Sequence, residues 1–214
     1  MAKPTAPLLS FGASGTIAKT AVFSKWKGRP YVRQHVIPGN PQSTEQTVTR
    51  DTFANAGSIW KAAPSLFTAP WDLFAKGQVL TGRNAFMGRF VKDLRGLANM
   101  DTMPFSPGAK GGLAPLTVTA TPGVTQITVA TTNPGAPTGW AITAMVAAAI
   151  PDEDPQATLL FNMVAGQDAV TFNSVLLAGL TTGQLYTVGA WLAWTKPDGS
   201  VAYGASINDT ATPT

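Results

Sequence analysis

Few residues of this sequence have the type and spacing that catalysis or metal binding requires. His35 is the single histidine, and no Asp or Glu lies close to it in sequence to orient it as a general base. Asp152, Glu153 and Asp154 are consecutive, whereas calcium loops space their oxygen ligands and place a glycine at the sharp turn. We therefore expect His35 to be an ordinary strand residue and the three acids to form a solvated turn.

The glycine pattern and the absence of cysteine argue against two further kinds of site. Gly12-Ala-Ser-Gly15 does not match a phosphate-binding loop, because no Gly-Lys-Ser/Thr follows it. With no cysteine, neither a thiolate metal site nor a disulfide framework can form. A hydrolase or transferase needs a nucleophile, a base and a charge stabiliser together, and the sequence shows no such set. We predict a protein that is not an enzyme and that has no cofactor and no metal ion.

Positive charge is concentrated in the first half of the chain. Residues 1–113 hold 14 of the 15 Lys and Arg and 5 of the 11 Asp and Glu, a net charge of +9. Residues 114–214 hold one Lys and 6 acids, a net charge of −5. This polarity indicates that the first half faces an acidic partner, either nucleic acid or a protein surface.

No segment predicts a membrane span or an export signal. The longest apolar run, Ala144–Ile150, is far too short to cross a bilayer. The first ten residues contain prolines where a signal peptide needs a continuous apolar run. We expect a protein that is made in the cytoplasm and has no membrane partner.

A basic hairpin is the strongest candidate for a binding surface. Two runs of β-branched and aromatic residues flank Lys27-Gly28-Arg29, where Gly28 can supply the positive φ of a tight turn. The partner-binding residues that we predict on this hairpin are Lys25, Trp26, Lys27, Arg29, Tyr31 and Arg33. A charged, solvated edge that discourages strand addition explains the same cations equally well.

The hairpin also has the composition of a surface that binds single-stranded nucleic acid. Trp26 and Tyr31 alternate with Lys and Arg, as stacking aromatic residues do in such proteins. However, the total positive charge is modest, and no helix-turn-helix, zinc or RNA-recognition motif is present. A basic nucleic-acid-binding adaptor is therefore the weaker alternative to a protein-binding subunit.

The chain divides into four predicted segments. Residues 1–39 predict an extended arm followed by the hairpin, because the first 20 residues hold prolines and glycines and little that could pack. Residues 40–103 predict a small helical module. Residues 104–113 have the proline and glycine content of a linker. Residues 114–214 hold seven short apolar runs separated by turn residues, the pattern of a β-sandwich.

Three helices are predicted within the helical module, and they could pack on one another or on the hairpin. Ser43-Thr-Glu-Gln46 has the form of a capping box, so the first helix should run from about Thr44 to Ala62. Thr68 is the predicted N-cap of the second helix, with Pro70 in its first turn. The third should begin at Thr81 and end near Ala98.

The sandwich prediction depends on a tyrosine corner. Leu180, Gly183 and Tyr186 have the Leu-x-x-Gly-x-x-Tyr spacing in which the tyrosine hydroxyl bonds to backbone a few residues upstream. This motif resembles that of fibronectin type III and immunoglobulin-like domains. Trp140 should lie between the two sheets, and Trp191 and Trp194 should point to opposite faces of one strand, leaving one of them exposed. The predicted fold class is α+β, with several domains.

Four motifs between residues 16 and 98 lie in a distinctive order: Lys25-Trp-Lys-Gly28, Pro38-Gly-Asn-Pro41, Ser43-Thr-Glu-Gln46 and Gly82-Arg-Asn-Ala-Phe86. This set resembles a group of tailed-bacteriophage and prophage virion proteins, in which a Lys-Trp-Lys-Gly hairpin precedes an Asn-Pro turn and a helix. The sandwich is similar to the immunoglobulin-like or fibronectin-like modules that decorate phage heads and tails.

The resemblance implies a virion structural protein, and the charge polarity agrees with it. We expect a capsid decoration (cement) subunit on the capsid surface, bound through its basic first half to the major capsid protein or another virion protein, with the acidic sandwich projecting outward. On the particle it should form a homo-oligomer. A tail or head–tail connector component is the alternative within the same class.

Overall fold

The computed structural model describes residues 15–27, 29–37, 39–108, 113–156 and 163–214 of the chain. These residues belong to two compact units, the first within residues 1–42 and the second within residues 43–214. The fold class is α+β, and the described residues form three helices and eleven strands in three antiparallel sheets.

The first unit contains one small sheet. Its strands are β1 (Gly15–Ile17), β2 (Ala21–Trp26) and β3 (Arg29–Gln34), paired antiparallel in the order β1-β2-β3. The predicted hairpin is confirmed, but Trp26 pairs with Arg29, so two residues rather than the predicted three separate the strands. Lys27 adopts the left-handed φ of 48° that such short connections favour. Gly28 and residues 1–14 lie outside the described residues. The rest of the predicted arm, residues 15–20, is not an arm, because Gly15–Ile17 pairs with β2 and the Thr20 N–H donates to the Ile17 carbonyl at 2.8 Å.

Three helices open the second unit, and local sequence signals explain most of their ends. Helix α1 (Thr44–Ala62) has the predicted bounds, but the Ser43 side chain makes no cap hydrogen bond, so the capping box is wrong. Helix α2 (Ser65–Ala75) begins four residues before the predicted start, with Pro64 rather than Thr68 at the N-cap, because the Pro64 carbonyl already accepts from the N–H groups of Phe67 and Thr68.

Helix α3 (Gly82–Leu94) begins where the sequence predicted and ends earlier. The Thr81 hydroxyl caps its first turn by accepting from the N–H of Asn84 at 3.3 Å. The helix ends at Leu94 rather than near Ala98, because Gly96 takes a φ of 81°, which ends a helix. Within the described residues, no helix combines the length and the apolar character needed to cross a bilayer.

Two sheets complete the second unit. The strands are β4 (Thr117–Gly123), β5 (Gln126–Thr132), β6 (Ala141–Pro151), β7 (Val164–Asp168), β8 (Ser174–Ala178), β9 (Tyr186–Thr195), β10 (Val201–Tyr203) and β11 (Ile207–Ala211). One sheet has the order β10-β9-β6-β7, with β11 also paired to β9, and the other has the order β4-β5-β8. The inner faces of the two sheets enclose a core that includes Val129, Ala147, Val188 and Leu192.

The larger sheet is buried on both faces, because the helices cover its outer side. Phe67, Phe86 and Phe90 from the helices form one core with outer-face side chains of β6 and β9, including Val146, Ile150 and Trp191. Trp194 lies in the core between the sheets, so Trp191 and Trp194 point to opposite faces as predicted. Both are fully buried, and the expectation that one is exposed was wrong.

The described part of the predicted linker is packed in the protein core. Phe105 is fully buried, and its ring stacks on Trp191 with the ring centroids 6.5 Å apart. The Trp71 Nε1–H donates to the Phe105 carbonyl at 3.2 Å, and the Ser106 hydroxyl donates to the Gly204 carbonyl at 2.7 Å. Residues 104–108 are therefore not a linker, and the helices and sandwich form one unit. Residues 109–112 lie outside the described residues.

A tyrosine corner joins β8 to β9. The Thr181 N–H donates to the Tyr186 hydroxyl at 3.0 Å, Gly183 takes a φ of 78°, and the side chains of Leu180 and Tyr186 are buried. This is the hydrogen bond that the motif predicts. Trp140 lies only partly buried at the margin of the core between the sheets, with Lys196 Nζ 6.0 Å from the centre of its ring.

Substituting Tyr186→Phe should lower the free energy of unfolding by about 1 kcal/mol, because the Thr181 N–H loses its acceptor. Chemical denaturation of the full chain measures this difference. Tyr203→Phe is the matched control, since the Tyr203 hydroxyl makes no hydrogen bond with a described residue. Equal stability of the wild type and Tyr186→Phe would contradict the structural role of the corner.

Candidate functional site

The strand register places the predicted binding residues on two different faces of the first unit's sheet. Residues that pair directly across antiparallel strands share a face. Trp26 pairs with Arg29, Ser24 with Tyr31 and Val22 with Arg33. One face therefore carries Trp26, Arg29, Tyr31 and Arg33, and we call these four residues the aromatic–basic face.

The aromatic–basic face is open to solvent. Trp26 is 66% exposed and Tyr31 is 39% exposed, although both are large apolar rings. Arg29 and Arg33 are also exposed. Lys27, in the turn, places its Nζ 5.0 Å from the centre of the Trp26 ring, a cation–π contact that holds the ring beside the turn. Two rings and two guanidinium groups thus lie together on one side of a short hairpin.

Lys25 does not belong to this group. It pairs with Pro30, so it lies on the opposite face with Phe23 and Val32. The prediction that Lys25, Lys27, Arg29 and Arg33 form one contact surface is corrected, because neighbouring residues of a strand point to opposite sides. Lys27 remains at the turn, and Gly28 lies outside the described residues.

The first unit contains no acid to neutralise these cations. Residues 1–42 hold six Lys and Arg and no Asp or Glu. Among the described residues the ion pair present is Arg89 Nε with Asp93 Oδ2, at 2.5 Å, in the second unit. The aromatic–basic face therefore offers uncompensated positive charge to a partner.

Three of the other residues considered for chemistry make hydrogen bonds to backbone groups. His35 follows β3, and its backbone N–H donates to the Thr20 carbonyl at 2.8 Å. Asp152 Oδ1 accepts from the Met100 N–H at 2.6 Å, and Asp154 Oδ1 accepts from the Gln156 N–H at 2.8 Å. These carboxylates fix loops. In the described ranges no three His, Asp or Glu side chains are grouped so that they could hold a metal ion.

A groove of about 1260 Å³ in the second unit was not foreseen from the sequence. Its lining includes Arg89, Lys92 and Asp93 of α3 and Ser106 from the segment that was interpreted as a linker. Because that segment was predicted to be a linker, no pocket was predicted beside it. The Ser106 hydroxyl in this lining donates to the Gly204 carbonyl, and Arg89 is already paired with Asp93.

Comparison with solved structures yields distant likenesses, two of which are described below. No protein-family model and no curated protein sequence matches the chain. A computationally redesigned β-sandwich protein is 16% identical, with a TM-score of 0.34, over 47% of this chain and 88% of its own. A structure described as that of a myokine is 15% identical, with a TM-score of 0.33, over 51% of this chain and 100% of its own.

Proposed function

We propose that the chain is a structural protein of a tailed-bacteriophage virion, a capsid decoration (cement) subunit that attaches to the head through its first unit. The observation that carries the proposal is the exposed aromatic–basic face on a sheet without acids. The order of motifs between residues 16 and 98, similar to that of phage virion proteins, supports the same class.

The first unit has the properties of a docking element. A three-stranded sheet needs a hydrophobic face or a packing partner to be stable. Phe23 is buried in this sheet, whereas Ile17, Val32, Val36 and Ile37 are at least half exposed. Covering these side chains with a partner surface would remove apolar area from water, which favours association.

The aromatic and the basic residues of the aromatic–basic face have different roles in the proposed binding. Buried aromatic residues supply most of the binding energy at protein interfaces, so Trp26 and Tyr31 are the proposed anchors. Arg29 and Arg33 can steer the unit to an acidic surface and fix its register. The partner is therefore an acidic face of the major capsid protein or of another virion protein, and repetition of that face on the particle gives the homo-oligomeric arrangement.

For the second unit we propose an immunoglobulin-like sandwich of the fibronectin type III kind. The order β4-β5-β8 in the smaller sheet and the order β10-β9-β6-β7 in the larger one, with β11 as a fifth strand beside β9, support this assignment. The corner at Tyr186 is the second feature in support. The helices that cover the larger sheet are an addition to the simple sandwich.

Copy number in purified particles tests the proposal and separates it from the alternative within its class. A decoration subunit should be present in hundreds of copies per particle, measured by quantitative mass spectrometry against the major capsid protein. A tail or head–tail connector component should be present in a small multiple of three or six. Absence from particles would reject both.

Nucleic-acid binding is the second candidate, because exposed rings beside arginines also suit single-stranded DNA. Filter binding of a labelled single strand at physiological salt tests it. Tight binding through the first unit would replace the virion proposal. We expect weak, salt-sensitive binding, because residues 1–42 hold only six cations.

Replacing Arg29 and Arg33 together by Gln should weaken attachment to particles and reduce its salt dependence, because two charges that face the partner are lost. The measurement is the occupancy of particles lacking this protein at two salt concentrations. Lys25→Gln is the matched control, since Lys25 lies on the other face of the same hairpin. A salt dependence lowered equally by the control would contradict the assignment of the binding face.

A further inference from the structure

The outer edge of β3 presents backbone groups that no described residue binds. Trp26 and Arg29 flank a two-residue turn and so exchange hydrogen bonds with each other. By alternation, Arg29, Tyr31 and Arg33 bond towards β2, and the bond from the His35 N–H to the Thr20 carbonyl continues this series. The remaining strand residues, Pro30, Val32 and Gln34, direct their backbone groups outward.

This edge is less protected than the edges at which the two sheets of the second unit meet. In the second unit β7 lies against β8, and β11 lies against β4, so the two sheets meet at both sides. In the first unit β1 is only three residues long. On β3, Pro30 removes one outward donor, but the N–H groups of Val32 and Gln34 remain.

We propose that β3 binds an extended segment of the partner as a fourth, antiparallel strand in which acidic and apolar residues alternate. This inference rests on the proposed function and specifies how the partner is recognised. Strand addition supplies affinity through main-chain hydrogen bonds and specificity through alternate side chains.

The two faces of the sheet determine the chemistry of the added strand. On one side its residues lie beside Arg29, Tyr31 and Arg33, where acids are favoured. On the other side they lie beside Pro30 and Val32, and Val32 is 51% exposed, so apolar residues are favoured. A second copy of β3 fits poorly, because its arginines would join those of the first copy on a face without acids.

A synthetic peptide of seven alternating Glu and Val residues is the probe, with blocked ends and a fluorescent label, titrated with the full chain at low salt. In the proposed register the valines lie on the same side of the sheet as Val32, and their backbone groups form hydrogen bonds with β3. The N–H groups of the glutamates point away from β3. N-methylation of the valines should weaken binding by about tenfold or more. N-methylation of the glutamates should change it by less than about twofold. Equal effects of the two modifications would overturn the proposal.

A matched pair of protein variants tests the same edge by changing β3 instead of the peptide. Val32→Pro removes an outward N–H and no hydrogen bond to β2, and proline is tolerated at such an edge position. Val32→Ala shortens the side chain and keeps the N–H. We expect Val32→Pro to weaken binding of the peptide by about tenfold and Val32→Ala to weaken it much less. Equal weakening by both variants would overturn the proposal.

The two experiments separate this inference from the proposed function. If particles recruit the full chain but neither the peptide modifications nor Val32→Pro affects binding, strand addition is wrong and the proposed function stands. If the peptide binds as described and particles do not recruit the chain, the edge is a strand-addition site and the virion proposal is wrong.

Discussion

A fragment of residues 113–214 is expected not to fold by itself, although its pattern of apolar runs predicts a β-sandwich. In the structure the outer face of the larger sheet packs against the helices, with Val146, Ile150 and Trp191 in a common core with Phe67 and Phe105. Removing the helices would expose this face, an apolar patch of the kind that soluble monomers seldom leave open. The fragment should therefore bind hydrophobic dyes and aggregate.

The matched control is the chain from residue 43 to residue 214, which contains both layers of that core. It should melt in a single cooperative transition. Near-ultraviolet circular dichroism of its buried tryptophans measures this transition. A cooperative transition of the 113–214 fragment, with sharp tryptophan signals, would show that the helices are dispensable and that the two parts are independent domains.

Trp26→Ala should weaken attachment to particles by about 2 kcal/mol or more, which corresponds to about a 30-fold higher dissociation constant. Trp26 is two-thirds exposed in the free chain and lies beside Arg29 on the aromatic–basic face. Binding of the partner would therefore bury a ring that is mostly in contact with water. Occupancy measured over a range of protein concentrations gives the dissociation constant.

Phe53→Ala is the control for this substitution, because Phe53 is an aromatic residue of α1 with 55% of its side chain exposed. The melting temperature of each variant should stay close to that of the wild type. If Phe53→Ala weakens attachment as much as Trp26→Ala does, the binding energy is not concentrated on the hairpin.

Local signals in the sequence predicted much of the fold. The β2–β3 hairpin, the bounds of α1 and the hydrogen bond of Tyr186 follow from turn residues, apolar periodicity and a short motif. Each of these features depends on residues close together in the chain. For that reason one sequence was enough to place them.

The packing of the helices on the sandwich was not predicted, because proline and glycine are common both in flexible linkers and in segments where backbones pack closely. Residues 104–108 were interpreted as a linker, but glycine there permits close approach of backbones. A Cβ on Gly108 would collide with the backbone at Tyr203 and Gly204, and one on Gly189 would collide with the Phe105 ring. Composition alone does not distinguish a flexible segment from a tightly packed one.

Two signals that could have corrected the predictions were present in the sequence. Ala144–Ile150 is an unbroken apolar run, which is typical of a strand buried on both faces rather than one. Lys25 and Trp26 are adjacent in one strand, so they could not both contribute to one face of a regular ribbon. The position of the open groove beside α3 had no local signal, because it depends on contacts distant in sequence.

The central claim is that the first unit attaches the protein to a virion. The most direct measurement compares the occupancy of particles lacking this protein by the full chain and by the chain from residue 43 to residue 214, at equal concentrations and physiological salt. The full chain should fill the particle sites to a fixed stoichiometry, and the shorter chain, without the aromatic–basic face, should leave them empty. Equal occupancy by the two chains would contradict the claim and assign attachment to the second unit.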